Sequence, residues 1–221
     1  MSGSSALRDA LRLYLIADTG LVAPERLPDV VRAATLGGVT MVQLRAKGLT
    51  TRAQVDLARA LRGACDAVRV PLIVNDRADV ASAAGAAGAH VGHIGQEDLL
   101  PGEVLGILGP QAIVGVSVGS AEEATRVRDA AYLSAGPMYA TTTKGDAGPA
   151  VGPALVRAIR AVTTQPLVAI GGITLDRVGE VLAAGADGVC VASAILRAPD
   201  PREAAASFAS ELGIRRMEGT R

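Results

Sequence analysis

Aromatic residues are scarce in this chain: no Trp, three Tyr and a lone Phe (Phe208) among 221 residues. A core of stacked rings is excluded. With hydrophobic residues at 49%, packing must come from Ala, Val, Leu and Ile, the branched side chains that buried parallel strands and barrel interiors use. Neither sign of charge is in excess, with 22 cationic and 22 acidic residues. That gives no support for nucleic acid or a membrane surface as partner, both of which favour a basic excess. No apolar stretch is long enough to span a bilayer, and Met1–Ala6 is short and polar with no signal-like run. Cys65 and Cys190 are isolated, without metal-like spacing. They read as small buried residues in a reducing cytoplasm.

Two other scarcities point at chemistry. The cations include only two lysines, Lys47 and Lys144, and Asn75 is the only Asn. Where Arg is the default cation, a retained Lys suits a site that needs a compact ammonium. The bland alternative is that two surface lysines could survive anywhere.

What is abundant is repetition. Short apolar runs at 13–18, 41–46, 71–76, 89–92, 113–118, 131–135, 167–171 and 188–192 read as strands. Segments of helical period lie between them, near 25–37, 51–68, 78–87, 102–109, 121–130, 153–164, 175–185 and 201–213. Thr50, Ser120 and Thr174 stand where helix N-caps belong. Gly37-Gly38, Gly88, Gly109 and Gly185 stand where helices should end. Eight βα units without a second composition regime predict one (β/α)₈ TIM barrel over 1–221, with a core at 11–213 and flexible termini. An open doubly wound sheet is the alternative.

In a barrel, polar residues at the C-terminal ends of strands are the candidates for chemistry. Gln43, Arg45 and Lys47 are two apart, so an extended chain turns all three to one side. Two unpartnered charges cannot be packing, so an anion such as a diphosphate is the expected partner; a solvated strand end is the other reading. Asn75-Asp76 closes the third strand, where Asp76 also suits a helix cap. Gly95-Gln96-Glu97-Asp98 follows the fourth. Carboxylates from neighbouring strands facing a diphosphate suit Mg²⁺. His90 and His93 sit on a strand or turn with no Cys nearby, which argues against zinc. The connection 136–149 is long for a βα turn and rich in Gly, Pro and Thr. It reads as a lid or anion clamp, or else as a plain surface loop. Gly171-Gly172 and Ala192-Ser193 suit a phosphate at the ends of the last two strands, as in many barrels.

These segments together resemble the thiamin-phosphate synthase family nearly end to end, from Tyr14-Leu15-Ile16-Ala17-Asp18 to Ala192-Ser193-Ala194-Ile195. Gln43-Leu44-Arg45-Ala46-Lys47, Asn75-Asp76, Gly95-Gln96-Glu97-Asp98, Gly115-Val116-Ser117 and Thr141-Thr142-Thr143-Lys144 carry the resemblance. The resemblance implies a magnesium-dependent transferase joining a pyrimidine diphosphate to a thiazole phosphate, carboxylated or not. Gln43, Arg45, Lys47, Asn75 and Lys144 would hold the diphosphate substrate, and Asp76 and Asp98 the Mg²⁺. Ser117 would sit near the pyrimidine. Thr141, Thr143, Gly172, Ala192 and Ser193 would hold the thiazole phosphate. Lys144, Lys47, Arg45 and Ser117 would carry the catalytic roles. In the family's chemistry the 4-amino group expels the diphosphate, leaving a pyrimidine methide cation, and no general base is needed. The absence of a Ser-His-Asp or Cys-His constellation agrees.

The chain departs from the family pattern at His90-Val91-Gly92-His93-Ile94-Gly95, where a His-hydrophobe-Gly unit occurs twice. The extra residues must bulge if Asp98 is to reach a metal, and His93, as an insert, is expected to be dispensable. Ala140 stands where the family usually has Pro. Other readings are a thiazole tautomerase-like barrel, which would not need these motifs together, and a non-catalytic barrel that binds phosphorylated ligands. A homodimer is compatible with the sequence.

Overall fold

A computed structural model describes residues 3–93, 98–141 and 149–214. Eight parallel strands close into a barrel in sequence order. They are β1 (Leu13–Asp18), β2 (Met41–Arg45), β3 (Leu72–Asn75), β4 (Gly88–Val91), β5 (Ile113–Val118), β6 (Tyr132–Ala135), β7 (Leu167–Ile170) and β8 (Gly188–Val191). Around them run α1 (Gly3–Ala10), α2 (Leu27–Leu36), α3 (Thr51–Asp66), α4 (Ala78–Ala84), α5 (Pro101–Leu108), α6 (Ala121–Arg126), α7 (Pro153–Arg160), α8 (Val178–Ala183), α9 (Ser193–Leu196) and α10 (Pro201–Glu211). The fold is the (β/α)₈ TIM barrel that the eight repeats predict.

The period-two alternation sorts every strand. Leu13, Leu15 and Ala17 of β1 pack outward against the helices, as do Val42 and Leu44 of β2 and Val114, Val116 and Val118 of β5. Tyr14, Ile16, Met41, Ile73, Tyr132, Val168 and Cys190 fill the interior instead. Further along the same inward rows stand Asp18, Gln43, Arg45, Asn75, Ser117 and Ser134, which line the mouth. Each strand is thus apolar outward throughout, and many turn polar inward as they reach the C-terminal end.

The opposite end is closed by α1, which occupies residues the sequence reading leaves outside the core. An eight-residue helix is marginal alone, so tertiary contacts must hold it. Leu11, just after it, is fully buried against the interior cluster, with Leu7 and Ala10 packed on the same group. Burying such a side chain contributes about 2 kcal/mol. Arg8 also reaches Asp187 at 2.6 Å, and Asp187 accepts from Arg160 and from the Leu167 amide, both at 2.8 Å.

Thr50 and Ser120 cap as expected, accepting from the amides of Ala53 and Glu123. Three local expectations are corrected. Gly88 does not end a helix: α4 stops at the left-handed Gly85 (φ 66°), and Gly88 opens β4 where a Cβ would collide with the Ile113 backbone. The helix expected at 175–185 is a 3-10 turn at Leu175–Arg177 followed by α8. Thr174 therefore caps no α-helix; its side chain hydrogen-bonds Asp176 and helps hold that carboxyl below the usual range. Among the described residues, no helix is long and apolar enough to cross a membrane.

Candidate active site

The mouth of the barrel holds a cavity of about 1550 Å³. That exceeds the roughly 300–1,000 Å³ of a single small-ligand site. Eleven of the residues singled out from sequence line it: Gln43, Arg45, Lys47, Asn75, Asp76, Asp98, Ser117, Thr141, Gly172, Ala192 and Ser193. Thr143 and Lys144, with Thr142 and the Gly95-Gln96-Glu97 stretch, lie outside the described residues.

The wall from β1 to β5 is built of ionic and polar side chains. Asp18 and Arg45 are register partners at the ends of β1 and β2. Their side chains meet at 2.6 Å and are only 3% and 15% exposed. The Gly20 amide donates to the other Asp18 oxygen at 2.8 Å. This corrects one premise of the sequence reading: Arg45 is not a bare charge, since Asp18 neutralises and orients it. Lys47, beyond the strand end, is exposed on the same wall. Asp76 takes a left-handed backbone (φ 62°), which is uncommon away from Gly, and its carboxylate accepts from Asn75 Nδ2 at 2.6 Å.

Asp98 returns to the cavity despite the duplicated unit. Its Oδ2 accepts from the Gly92 amide at 3.0 Å, and any Cβ at 92 would strike that oxygen. His93 is tied down too: its Nδ1 lies 2.9 Å from Glu123 Oε2, which also accepts from the Gly119 amide at 2.7 Å. The expectation that His93 is a dispensable insert therefore meets a structure in which it lines the cavity and bridges two strand ends.

Below the ionic wall a chain of polar groups joins Gln43 to Ser117 through Tyr14, Tyr132 and His90, a linkage that sequence reasoning missed. Gln43 Nε2 donates to the Tyr14 hydroxyl (2.9 Å), which meets the Tyr132 hydroxyl (2.8 Å). Tyr132 meets His90 Nδ1 at 3.1 Å, and His90 Nε2 meets Ser117 Oγ at 3.1 Å. Gly115 makes this possible, because a Cβ there would fall on the Tyr132 ring and His90 Nδ1. Burial pushes both phenols well above the usual tyrosine range, so they remain protonated.

The wall from β6 to β8 is built of backbone and small residues. Gly171 (φ 101°) and Gly172 (φ 63°) are in conformations that L side chains rarely adopt. The chain leaving β6 lies against them, with Met138 and Tyr139 amides donating to the carbonyls of Ile170 and Gly171. A Cβ on Gly172 would lie 2.6 Å from the Ala140 carbonyl oxygen. Arg177 donates to the Gly172 carbonyl at 3.1 Å and lies 4.1 Å over the Tyr139 ring. Arg177 and Arg197 both line the cavity and carry charge the sequence reading did not anticipate.

Among the described residues, no three His, Cys, Asp or Glu groups cluster as a metal site. Two cavity carboxylates, Asp76 and Asp98, offer hard oxygen donors. The imidazole nitrogens of His90 are engaged by Tyr132 and Ser117. That donor set fits a cation that takes one or two carboxylates and keeps its waters, and it does not fit zinc.

The family model described as thiamine monophosphate synthase matches residues 13–195, which span all eight strands. The chain belongs to the thiamine monophosphate synthase family. A thiamine-phosphate synthase of Xanthobacter autotrophicus is 49% identical over 197 residues, covering 88% of this chain and 92% of that protein. One from Azorhizobium caulinodans is 46% identical with the same coverage. Among solved structures, a thiamine phosphate pyrophosphorylase from Pyrococcus furiosus superposes with a TM-score of 0.83 at 35% identity, covering 94% of this chain and 98% of the other. The thiamine monophosphate synthase match includes both walls of the mouth.

Proposed function

We propose that the chain joins 4-amino-2-methyl-5-(hydroxymethyl)pyrimidine diphosphate to 4-methyl-5-(2-hydroxyethyl)thiazole phosphate, giving thiamin phosphate and pyrophosphate. The observation that carries this reading is the convergence of polar ends from β1 to β5 on one cavity large enough for two ligands. The family membership names the reaction class.

The leaving diphosphate develops charge as its C–O bond to the pyrimidine methylene breaks. Arg45 and Lys47 supply positive charge beside it, with Lys144 assigned to the same role by the family motif. Arg45 is already oriented by Asp18, so little reorganisation is needed when charge develops. Asp76 and Asp98 would hold Mg²⁺, which when bound neutralises diphosphate oxygens. Gln43, Asn75 and Ser117 orient the pyrimidine. The opposite wall holds the thiazole phosphate against Gly172, Ala192 and Ser193, with Thr141 and Thr143 assigned by the motif. This aims the thiazole nitrogen at the methylene carbon. That nitrogen attacks with its own lone pair, so no general base is required.

The direct test mixes purified protein with both substrates and Mg²⁺ and follows thiamin phosphate and pyrophosphate together. Equimolar formation of the two supports the reading. Binding of both substrates without pyrophosphate release would overturn it in favour of a sensor.

A further inference from the structure

The polar chain beneath the mouth runs from Gln43 to Ser117, and Ser117 lines the cavity. Tyr14 and Tyr132 are fully buried. Among the described residues, no buried side-chain nitrogen or oxygen lacks a hydrogen-bond partner. A buried phenol has one proton to give and must place it. With the Gln43 amide donating to Tyr14, the order that gives every group a partner sends the Tyr14 proton to Tyr132. Tyr132 then gives its proton to His90 Nδ1. With Nδ1 accepting, a neutral His90 carries its proton on Nε2 and donates to Ser117 Oγ. Ser117 lines the cavity, and with His90 as donor its own hydroxyl proton is not spent on the imidazole.

We infer that His90 and Tyr132 are positioning residues that leave the Ser117 hydroxyl proton free to donate to a lone-pair acceptor on the pyrimidine diphosphate. The acceptor is a ring nitrogen or a diphosphate oxygen. This deepens the function proposed above and rests on it only for the identity of the ligand. Tyr132 does not line the cavity, and it acts at a distance through His90. Gly115 belongs to the same device, since its lack of a side chain leaves room for the Tyr132 ring beside His90.

The chain contains only two histidines, so long-range proton–nitrogen NMR of protein labelled with ¹⁵N-histidine gives two spin systems. The one that persists in His93→Gln is His90. Ligand-free wild-type protein is expected to show His90 as the Nε2–H tautomer. The Nδ1–H tautomer, or a doubly protonated ring at neutral pH, would overturn the inference. Tyr132→Phe should erase the single tautomer and raise KM for the pyrimidine diphosphate roughly three- to tenfold with little change in kcat, the effect of one neutral hydrogen bond. An unchanged KM together with an unchanged tautomer would also overturn it.

Should Tyr132→Phe fail to fold, the wild-type tautomer and Ser117→Ala still decide. In Ser117→Ala, weaker binding of the free pyrimidine alcohol identifies a ring nitrogen, and weaker binding of pyrophosphate identifies a diphosphate oxygen. Loss of neither sinks the proposal. These readouts need no turnover. A protein with the expected tautomer that forms no thiamin phosphate would refute the proposed reaction and leave this inference standing.

Discussion

The two walls of the mouth meet the same cavity by different means. From β1 to β5 the wall is made of side chains: Asp18 locked to Arg45, Asp76 held by Asn75, and Asp98 held by the Gly92 amide. From β6 to β8 it is made of left-handed glycines and small residues, with the chain leaving β6 pressed against them. Side chains bring full charges and suit a diphosphate with its cation. Close-approaching backbone suits a singly phosphorylated group held by amides. The walls should therefore fail differently when broken: the first through charge and turnover, the second through shape and one ligand's affinity.

The largest expected effect is at the Asp18–Arg45 pair. Arg45→Met removes a cation from the leaving group and strands Asp18, whose side chain is 3% exposed. Removing one partner of a buried pair costs about 3 kcal/mol, and removing a preorganised charge from a developing anion costs roughly 10²-fold in turnover. Thermal unfolding and kcat should both drop. Asp18→Asn, Arg45→Met together should recover part of the stability and none of the rate. Full recovery of rate would show that the first wall does not act through charge.

Gly172→Val should come next and affect the other wall alone. The new Cβ meets the Ala140 carbonyl at 2.6 Å in a backbone with φ of 63°. A left-handed conformation costs an L residue about 1–2 kcal/mol, and the loop must also shift. KM for the thiazole phosphate should rise by roughly tenfold or more, while equilibrium binding of the pyrimidine diphosphate is unchanged. If both affinities fall together, the two walls are one site and the comparison is wrong.

Asp98→Asn sharpens the first wall. A lost contact to a charged group is worth about 1.5–3 kcal/mol, so the Mg²⁺ concentration for half-maximal rate should rise by roughly tenfold or more. An unchanged requirement would leave the metal to Asp76.

The same contrast explains what the sequence could reveal. All eight strands were legible as short apolar runs between segments of helical period. The polar strand ends were legible because Gln43, Arg45 and Asn75 interrupt apolar runs. Helix α1 was hidden, since Gly-Ser-Ser-Ala carries no helical signal and its stability comes from Leu11 and from Arg8–Asp187, far apart in sequence. The partner of Arg45 was hidden for the same reason: Asp18 becomes its neighbour only through the β1–β2 register. Tyr14 and Tyr132 lie within apolar runs, and the sequence reading weighs His90 only as a zinc ligand. Stepping back by twos from Asp18 and Ser134 would have placed both tyrosines on the inward rows, facing the gap at Gly115.

The smallest expected effect tests His93 of the duplicated unit, whose ring meets Glu123 beside the first wall. Partial burial raises the Glu123 carboxyl pKa, but the Gly119 amide and His93 more than offset this, and it ends below the ordinary value near 4.5. A carboxyl whose folded pKa is depressed contributes stability that is fully present above its unfolded value and is lost as pH falls through the folded one. Glu123 is 39% exposed and His93 32%, so solvent screens the pair and the contribution stays under about 1 kcal/mol. Urea unfolding should show wild type losing slightly more stability than Glu123→Gln as pH falls below about 4.5. Above that pH, Glu123→Gln should be slightly the weaker, since a neutral amide accepts less strongly from the Gly119 N–H. Parallel curves would mean that the Glu123 contacts add nothing to folding.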